Sequence, residues 1–370
     1  MALLAAAALS LAQQFTVAPA PEWDALFDRT SGWTGADGIY SIPLDGNDGP
    51  DGIARTDTLF VFSDTFIGDV LPNGSRQNAQ LINNTVGFLP RNGFPSGMQF
   101  WYAGTAAQPE AVFLPGTPNA RPGEWYWPHD GITLQGTTWL FAQRFKRVSS
   151  GLGFERVGLA LIELPAGSLP PFAGAIQSDC PFFLPANAQR EQIVFGVGIL
   201  ANTVAAGAPF PDGFLYIYGI REDPLVKKLL CARVLPADLP NFAAWRFWDG
   251  AAWDADPERS AVLTGRVSSE LSMTPLSDGR FALIYQADTI SRYVAAKLAA
   301  SPIGPFDPQI EIYECPLPSD PQVWSYNAKA HPHLSGPREL LISYNVNAIN
   351  FWDHFTHAEI YRPRFIRLTW

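Results

Sequence analysis

Five short apolar runs recur along the chain, each closing on a small or polar residue: TLFVFSD at 58–64, TTWLFAQ at 137–143, GFLYIYG at 213–219, RFALIYQ at 280–286 and ELLISYN at 339–345. A run such as Leu59, Phe60, Val61 and Phe62 has no polar position to turn toward water, so it reads as a strand buried on both faces. What flanks these runs also repeats. Upstream lies a shorter strand with a turn (DGIYSIPLDG, DGITLQG, ILANTVAAGAPFPDG, ELSMTPLSDG, AHPHLSGPR), and downstream a further strand (NNTVGFLP, RVGLALIELP, KLLCARVLP, SRYVAAKLAAS, RPRFIRLTW). Most units add an aromatic fourth strand, as in MQFWYAG, AAWRFWDG and QIEIYECP.

Four strands repeating at a spacing of roughly 60 to 80 residues match the blade of a β-propeller with long loops. Five such units predict an all-β, five-bladed β-propeller with four-stranded antiparallel blades. The last unit shows three strands before Trp370, so the N-terminal QFTVAPA segment is expected to supply the missing outer strand and close the ring without a free sheet edge. The Pro-rich stretches 114–128 and 165–189 read as inter-blade loops, and no linker or charge run marks a second domain. One domain is expected from residue 14 to 370.

Composition agrees: 31 Gly and 33 Pro are spread along 370 residues, aromatics make up 13%, and no long amphipathic helical stretch follows the N-terminus. The formal charge of −10, with 16% charged residues, argues against a nucleic-acid backbone or an anionic membrane as partner. Twelve Trp and eleven Tyr offer flat apolar faces with polar edges that suit sugar rings, although most such residues fill cores. A neutral carbohydrate is therefore the expected partner.

The N-terminal MALLAAAALSLAQQ is an apolar run of signal-peptide length without a basic start, followed by Ser10, Leu11 and Ala12 in a small-x-small pattern. It is too short to span a bilayer. Residues 1–12 are read as the remnant of a secretory signal, which places the protein outside the cytoplasm, secreted or periplasmic. Cys180, Cys231 and Cys315 are far apart and lack ligand spacing, which disfavours zinc or thiol chemistry and leaves one disulfide open.

The run ending in Asp64 poses a chemical question, because an ionisable group placed directly after a fully apolar strand needs a reason. In a propeller blade the first strand begins, and the second ends, at the face where the central funnel opens. Those positions are Asp37 and Asp64 in the first unit, Asp130 and Gln143 in the second, Glu270 and Gln286 in the fourth, and Asn327, His331 and Asn345 in the fifth; the third offers Asn202 and Arg221. Four carboxylates at one funnel repel and raise one another's pKa, an arrangement that stability alone does not favour. Glycosidic bond cleavage needs such a set: one acid held protonated, and one carboxylate ionised to attack or to activate water.

Asp130 lies in EWYWPHDGI, where Trp125, Tyr126 and Trp127 are candidates for a sugar-stacking wall and Trp127 and His129 for substrate contacts. Asp37 and Asp130 each precede a glycine, so a turn-forming role stands beside the chemical one. His331 and His333 share one face of an irregular strand broken by Pro332. They fit hydrogen bonding to substrate, a structural place for at least one of them, or a metal, with calcium as suitable as zinc.

The motifs GADGIYSIPL…TLFVFSDTFIG, WPHDGI, AASPIGPF and NAKAHPHLS…LLISYNVN resemble the five-bladed propeller glycosidases, the superfamily of arabinanases, xylosidases and fructosidases. They look closest to a domain-of-unknown-function group within it that includes endo-D-arabinanases. The resemblance covers nearly the whole chain after residue 14. It implies an inner-strand Asp as base or nucleophile, a second Asp as pKa modulator and a Glu as general acid, with no obligatory redox cofactor. Carried over by position, Asp37 or Asp64 is the base, Asp130 the modulator and Glu270 the acid. The sequence departs from the better-known families in having no clear Glu at the start of the third unit's inner strand, so Asp64 is also a candidate acid. A carbohydrate-binding propeller without catalysis is the alternative reading, and a metal-dependent lactonase or phosphoesterase is a weaker third.

Overall fold

The computed structural model describes residues 15–222, 226–319 and 321–370. The expected signal remnant at 1–12 lies outside the described residues. Strands carry the chain, and its α-helices are single turns. The first sheet orders Tyr40–Pro43, Thr58–Phe62, Thr85–Leu89 and Gln99–Trp101. The second orders Trp125–Leu134, Thr137–Arg147, Phe154–Leu164 and Ile176–Asp179. In the third, Gln192–Asn202, Phe214–Glu222, Lys227–Val234 and Arg246–Trp248 form the central path, extended by short flanking strands. The fourth orders Leu271–Pro275, Phe281–Gln286, Tyr293–Ala299 and Ile310–Glu314. The fifth orders Val323–Ala330, Glu339–Ala348 and Arg364–Thr369, and takes Thr16–Pro19 as its outer strand, with Val17 opposite Leu368.

Each apolar run is the second strand of its sheet and is covered on both sides, so the core lies between sheets. Phe60, Phe62, Leu341 and Phe365 fill the space between the first and fifth, and Ile42, Val61, Leu140 and Ala160 that between the first and second. Phe141, Phe195, Leu229, Leu271 and Leu283 link the second, third and fourth, and Ile284, Val294, Ile342 and Ile366 the fourth and fifth. The first strands of successive sheets touch one another in order. Ser41 and His331 join the first and fifth through a hydroxyl–imidazole contact of 2.7 Å.

Three features depart from the pattern read along the chain. A three-stranded sheet of Ser31–Ala36, Thr65–Val70 and Arg76–Ile82 is inserted within the first unit, its hairpin turned at Asn73–Gly74, where Gly74 has φ +82. The first strands of the second, third and fifth sheets begin earlier than expected, at Trp125, Gln192 and Val323. Each carries a bulge where two residues leave the ladder: His129–Asp130, Gly196–Val197 and Asn327–Ala328. A bulge breaks the period-two alternation by which strands are recognised. The disulfide left open does not form, since Cys180, Cys231 and Cys315 are buried and free.

Gly196 shows what the bulge demands. Its φ is +85, and a Cβ there would lie 2.5 Å from the Phe141 ring. Gly196→Ala is expected to destabilise the protein by about 2–4 kcal/mol, the combined cost of left-handed strain and overpacking. Denaturant titration measures it; a loss within experimental error would remove the bulge from the list of rigid constraints.

Candidate active site

Asp37 follows the strand Ser31–Ala36 and Asp64 follows Thr58–Phe62, and the backbone ties them together. Asp37 N–H donates to the Asp64 carbonyl (3.2 Å), and Ser63 N–H donates to the Asp37 carbonyl (2.9 Å). The contact requires Gly38: with φ +62, a Cβ there would meet Ser63 Oγ at 2.5 Å. The glycine after Asp37 therefore serves a turn, and the turn places the carboxylate.

Asp37 Oδ2 accepts from the phenols of Tyr326 (2.8 Å) and Tyr361 (2.9 Å), while Oδ1 is buried without a partner. Asp64 Oδ1 accepts from Trp127 Nε1 (2.8 Å) and Asn83 Nδ2 (3.1 Å). Glu270, 6% exposed, accepts from Asn327 Nδ2 through Oε1 (2.8 Å), and its Oε2 lies 2.5 Å from Lys329 Nζ. Lys329 is itself buried; it also donates to the Asn327 carbonyl (3.0 Å) and sits 4.5 Å over the Tyr40 ring.

Burial pushes Asp37 up to about 8, reinforced by the charges of Asp64 and Glu270 and opposed by the two phenols. Burial raises Asp64 to about 6 against the bonds from Trp127 and Asn83 and the charge of Arg147. Glu270 is raised by burial and held back by Lys329. Like charges in a poorly solvated site cannot all ionise at once, so this group shares protons near neutrality.

The other expected site residues divide. Trp127 and Asn327 join the acids, each gripping one of them. Trp127 packs its ring on Phe145 (4.3 Å) and Phe154 (4.8 Å), so its indole positions Asp64 instead of standing as a free stacking wall. Tyr126, fully buried, points away. Asn345 Nδ2 holds the Ala36 carbonyl beside Asp37 (3.2 Å). His129 is buried next to Tyr40 Oη (3.4 Å); burial, with Arg156 and Lys329 nearby, lowers it to about 3, so it stays neutral. Gln143 accepts from Arg156 (2.6 Å), whose guanidinium also binds Glu222, and Lys227 binds that same carboxylate. Burial favours the neutral form of Glu222, but the two cations outweigh it and bring it down to about 2.

Asp130 is placed differently from the expectation. Oδ1 accepts from its neighbour Gly131 N–H (2.9 Å) and Oδ2 from Ile199 N–H (2.7 Å), so the carboxylate staples the second sheet to the third. Asp130 faces, with His331 and one side of Lys329, a cavity of about 210 Å³ at the opposite end of the first strands. His331 spends both ring nitrogens on Ser41 and Ser343, each at 2.7 Å. Gln286 donates to Ser291 and Ser325, and Arg221 reaches the Ser260 carbonyl; neither is brought to the acids. Asn202 is buried at the far end of its strand, its carbonyl accepting from Asp212 and Gly213. Tyr326, Lys329 and Tyr361, which hold Asp37 and Glu270, were not anticipated, although Tyr326 and Lys329 flank Asn327 in WSYNAKAH. Among the described residues no group of three His, Cys, Asp or Glu is arranged to hold a metal, and no helix is long and apolar enough to cross a membrane.

The family model described as a domain of unknown function, DUF5005, matches residues 21–370, and the chain belongs to that family. No curated protein matches the chain. Among solved structures, a protein of Bacteroides ovatus ATCC 8483 assigned as a hydrolase superposes with a TM-score of 0.74 at 21% identity, covering 96% of this chain and 90% of its own. The α-L-arabinofuranosidase of Podospora anserina gives 0.49 at 11% identity, covering 96% of each chain. A GH43_1 enzyme of Xanthomonas citri, solved with xylotriose, gives 0.47 at 13% identity, covering 95% of this chain and 93% of its own. The first likeness shows a shared fold; the other two are too distant to carry argument.

The raised acids make stability depend on pH. With Asp37 moved from 3.8 to about 8, the folded state binds more protons than the unfolded state across that window, so stability falls as pH rises through it. Asp37→Asn is expected to raise Tm by several degrees at pH 8 and by much less at pH 4.5. Calorimetry at the two pH values checks this, and an equal gain at both would contradict the desolvated cluster.

Proposed function

We propose that this protein is a glycoside hydrolase that cleaves a furanose- or pentose-containing polysaccharide, using the carboxylates of Asp37, Asp64 and Glu270. The observation that carries the reading is the convergence of three enclosed carboxyl groups from separate segments, with Lys329 as the one buried cation among the described residues bound to any of them. Asp37 is the proton donor to the leaving oxygen, since its burial and the neighbouring charges favour the protonated form. Asp64, held by an indole and an amide donor, stays ionised and either attacks the anomeric carbon or takes the proton of the attacking water. Glu270 adds negative charge that keeps the proton on Asp37. This departs from the role order implied by family resemblance, in which Asp130 modulates and Glu270 donates. The two backbone amides on Asp130 and the lysine on Glu270 motivate the change.

The scaffold for this chemistry is a five-bladed propeller whose ring closes through Thr16–Pro19. The outer pairing of that strand on Arg364–Thr369 and the core between the first and fifth sheets support it. We place the protein in a secreted or periplasmic setting on the strength of its apolar N-terminus, with no redox cofactor and no nucleic-acid partner. The non-catalytic sugar-binding alternative draws support from one contact, the Glu270–Lys329 ion pair, which ties up a carboxylate.

Asp37→Asn, Asp64→Asn and Glu270→Gln are each expected to lower kcat/KM on an arabinan-type polysaccharide by about 10²- to 10⁴-fold with the fold retained. The wild-type kcat/KM profile is expected to be bell-shaped, with limbs near 6 and 8 set by Asp64 and Asp37. Reducing-sugar release and circular dichroism measure both. Activity that survives all three substitutions excludes the assignment, and glycan binding without product release favours the alternative.

A further inference from the structure

Beyond Ala348 the chain leaves the fifth sheet at the end where Asn345 and Asn347 support the acid cluster, with Asn347 Nδ2 donating to Tyr326 Oη (3.1 Å). It then exposes large apolar side chains in a row: Ile349 is 66% exposed, Phe351 46% and Trp352 69%. Leaving an indole and a phenyl ring in water forgoes burial, so a contiguous exposed group of this kind calls for a partner.

The mount beneath these rings is rigid. Arg76 is buried, and its guanidinium donates to the carbonyls of His354 (2.5 Å), Ala358 (3.0 Å), Ile360 (3.2 Å) and Thr34 (3.0 Å). It also lies 4.6 Å from the Phe66 ring centroid. A buried cation held by carbonyls and one hydroxyl, that of Thr34 (3.3 Å), is costly, and here it fastens the helical turn Asp353–Thr356 to the inserted three-stranded sheet. Trp352 leans on Phe355 (5.6 Å) and Phe351 (5.9 Å).

The same aromatic group runs back to the acids. The Phe351 ring is 6.2 Å from Phe66, Phe66 is 5.4 Å from Tyr361, and Tyr361 Oη donates to Asp37 Oδ2 at 2.9 Å. The exposed rings are thus joined to the acid site through two buried aromatic side chains, Phe66 and Tyr361. A group of carboxylates repels anions and an exposed indole face suits a neutral, amphipathic ring, so the occupant that fits both is a glycan.

We propose that Trp352, with Phe351 beside it, forms a carbohydrate subsite outside the catalytic group, gripping a sugar unit of the chain remote from the scissile bond. This rests on the hydrolase reading and deepens it. The substrate is an oligosaccharide or polymer long enough to reach from Asp37 to Trp352, and short glycosides forgo that grip.

The test uses Trp352→Ala in the full chain, with Leu169→Ala, a comparably exposed side chain (68%), as control. On arabinan and on arabino- or xylo-oligosaccharides of increasing length, Trp352→Ala is expected to raise KM roughly tenfold for the polymer with kcat within about twofold, and the deficit should grow with chain length. Tryptophan fluorescence quenching by the same oligosaccharides should weaken by a similar factor. If the wild type cleaves and Trp352→Ala matches Leu169→Ala at every length, the subsite is excluded and the hydrolase reading stands. If the wild type cleaves nothing, yet oligosaccharides bind and Trp352→Ala releases them, the hydrolase reading fails and the subsite stands. Absence of any glycan binding, or a change in self-association alone on light scattering, overturns the proposal.

Discussion

Enclosing Asp37, Asp64 and Glu270 in one poorly solvated group is the constraint from which the rest of the structure follows. Removing a carboxylate from water disfavours its charge, and each neighbour of like sign adds to the penalty, so all three are pushed toward the protonated form. The surrounding groups are chosen to limit this cost without cancelling it. Two phenols serve Asp37, an indole and an amide serve Asp64, and only Glu270 receives a full cation. Had each acid been given an arginine, the cluster would be stable and fully ionised, and no proton would be held ready for donation. The cores between the sheets supply the stability that lets such a cluster persist, the usual exchange between stability and function.

Placing the groups that surround these acids requires breaking strand geometry. In a regular strand consecutive side chains point to opposite faces, so neighbours cannot both turn inward. The bulge at His129–Asp130 allows it: His129 meets Tyr40 while Asp130 reaches across to the third sheet. The bulge at Asn327–Ala328, with Asn327 at φ +61, lets one strand deliver Tyr326 to Asp37 and both Asn327 and Lys329 to Glu270. In the third sheet the corresponding bulge is a glycine and valine, and it contributes a carbonyl that accepts from Tyr40 at 2.9 Å. One device, used three times, thus yields two side-chain clusters and a backbone acceptor.

These placements explain how far residue patterns alone carry the reading. The apolar second strands were legible because they are covered on both faces and contain no polar interruption. Asp64 stood out as an ionisable group abutting an apolar strand, and Glu270 by its place in the repeat at the start of the fourth unit's first strand. Asp130 looked the same in the chain, yet the amide that satisfies it belongs to Ile199, from a sheet distant in sequence, and no local pattern announces that bond. His331 resembles a ligand until Ser41 and Ser343 are brought to its two nitrogens. Tyr326 and Lys329 were hidden for the opposite reason, since a tyrosine and a lysine among strand residues read as core filler or surface, and Tyr361 lies in a turn with φ +73 that no pattern marks. The inserted hairpin did carry its own signal in Asn73–Gly74, a turn pair that favours tight reversal.

Lys329 links the two ends of the molecule's interior. Its stem lines the cavity that Asp130 and His331 face, while its ammonium reaches the opposite way to Glu270 and lies over Tyr40. It therefore divides the space along the first strands into an acid end and a cavity end. The division has an electrostatic consequence. The buried positive charge is committed to Glu270, so the other pair, Asp37 and Asp64, is left with neutral hydrogen-bond donors and the more distant Arg147. A group of that kind repels anions and offers little to cations once a proton is shared within it. What it accommodates best is an uncharged molecule with many hydroxyls, and this selectivity follows from where one lysine is placed.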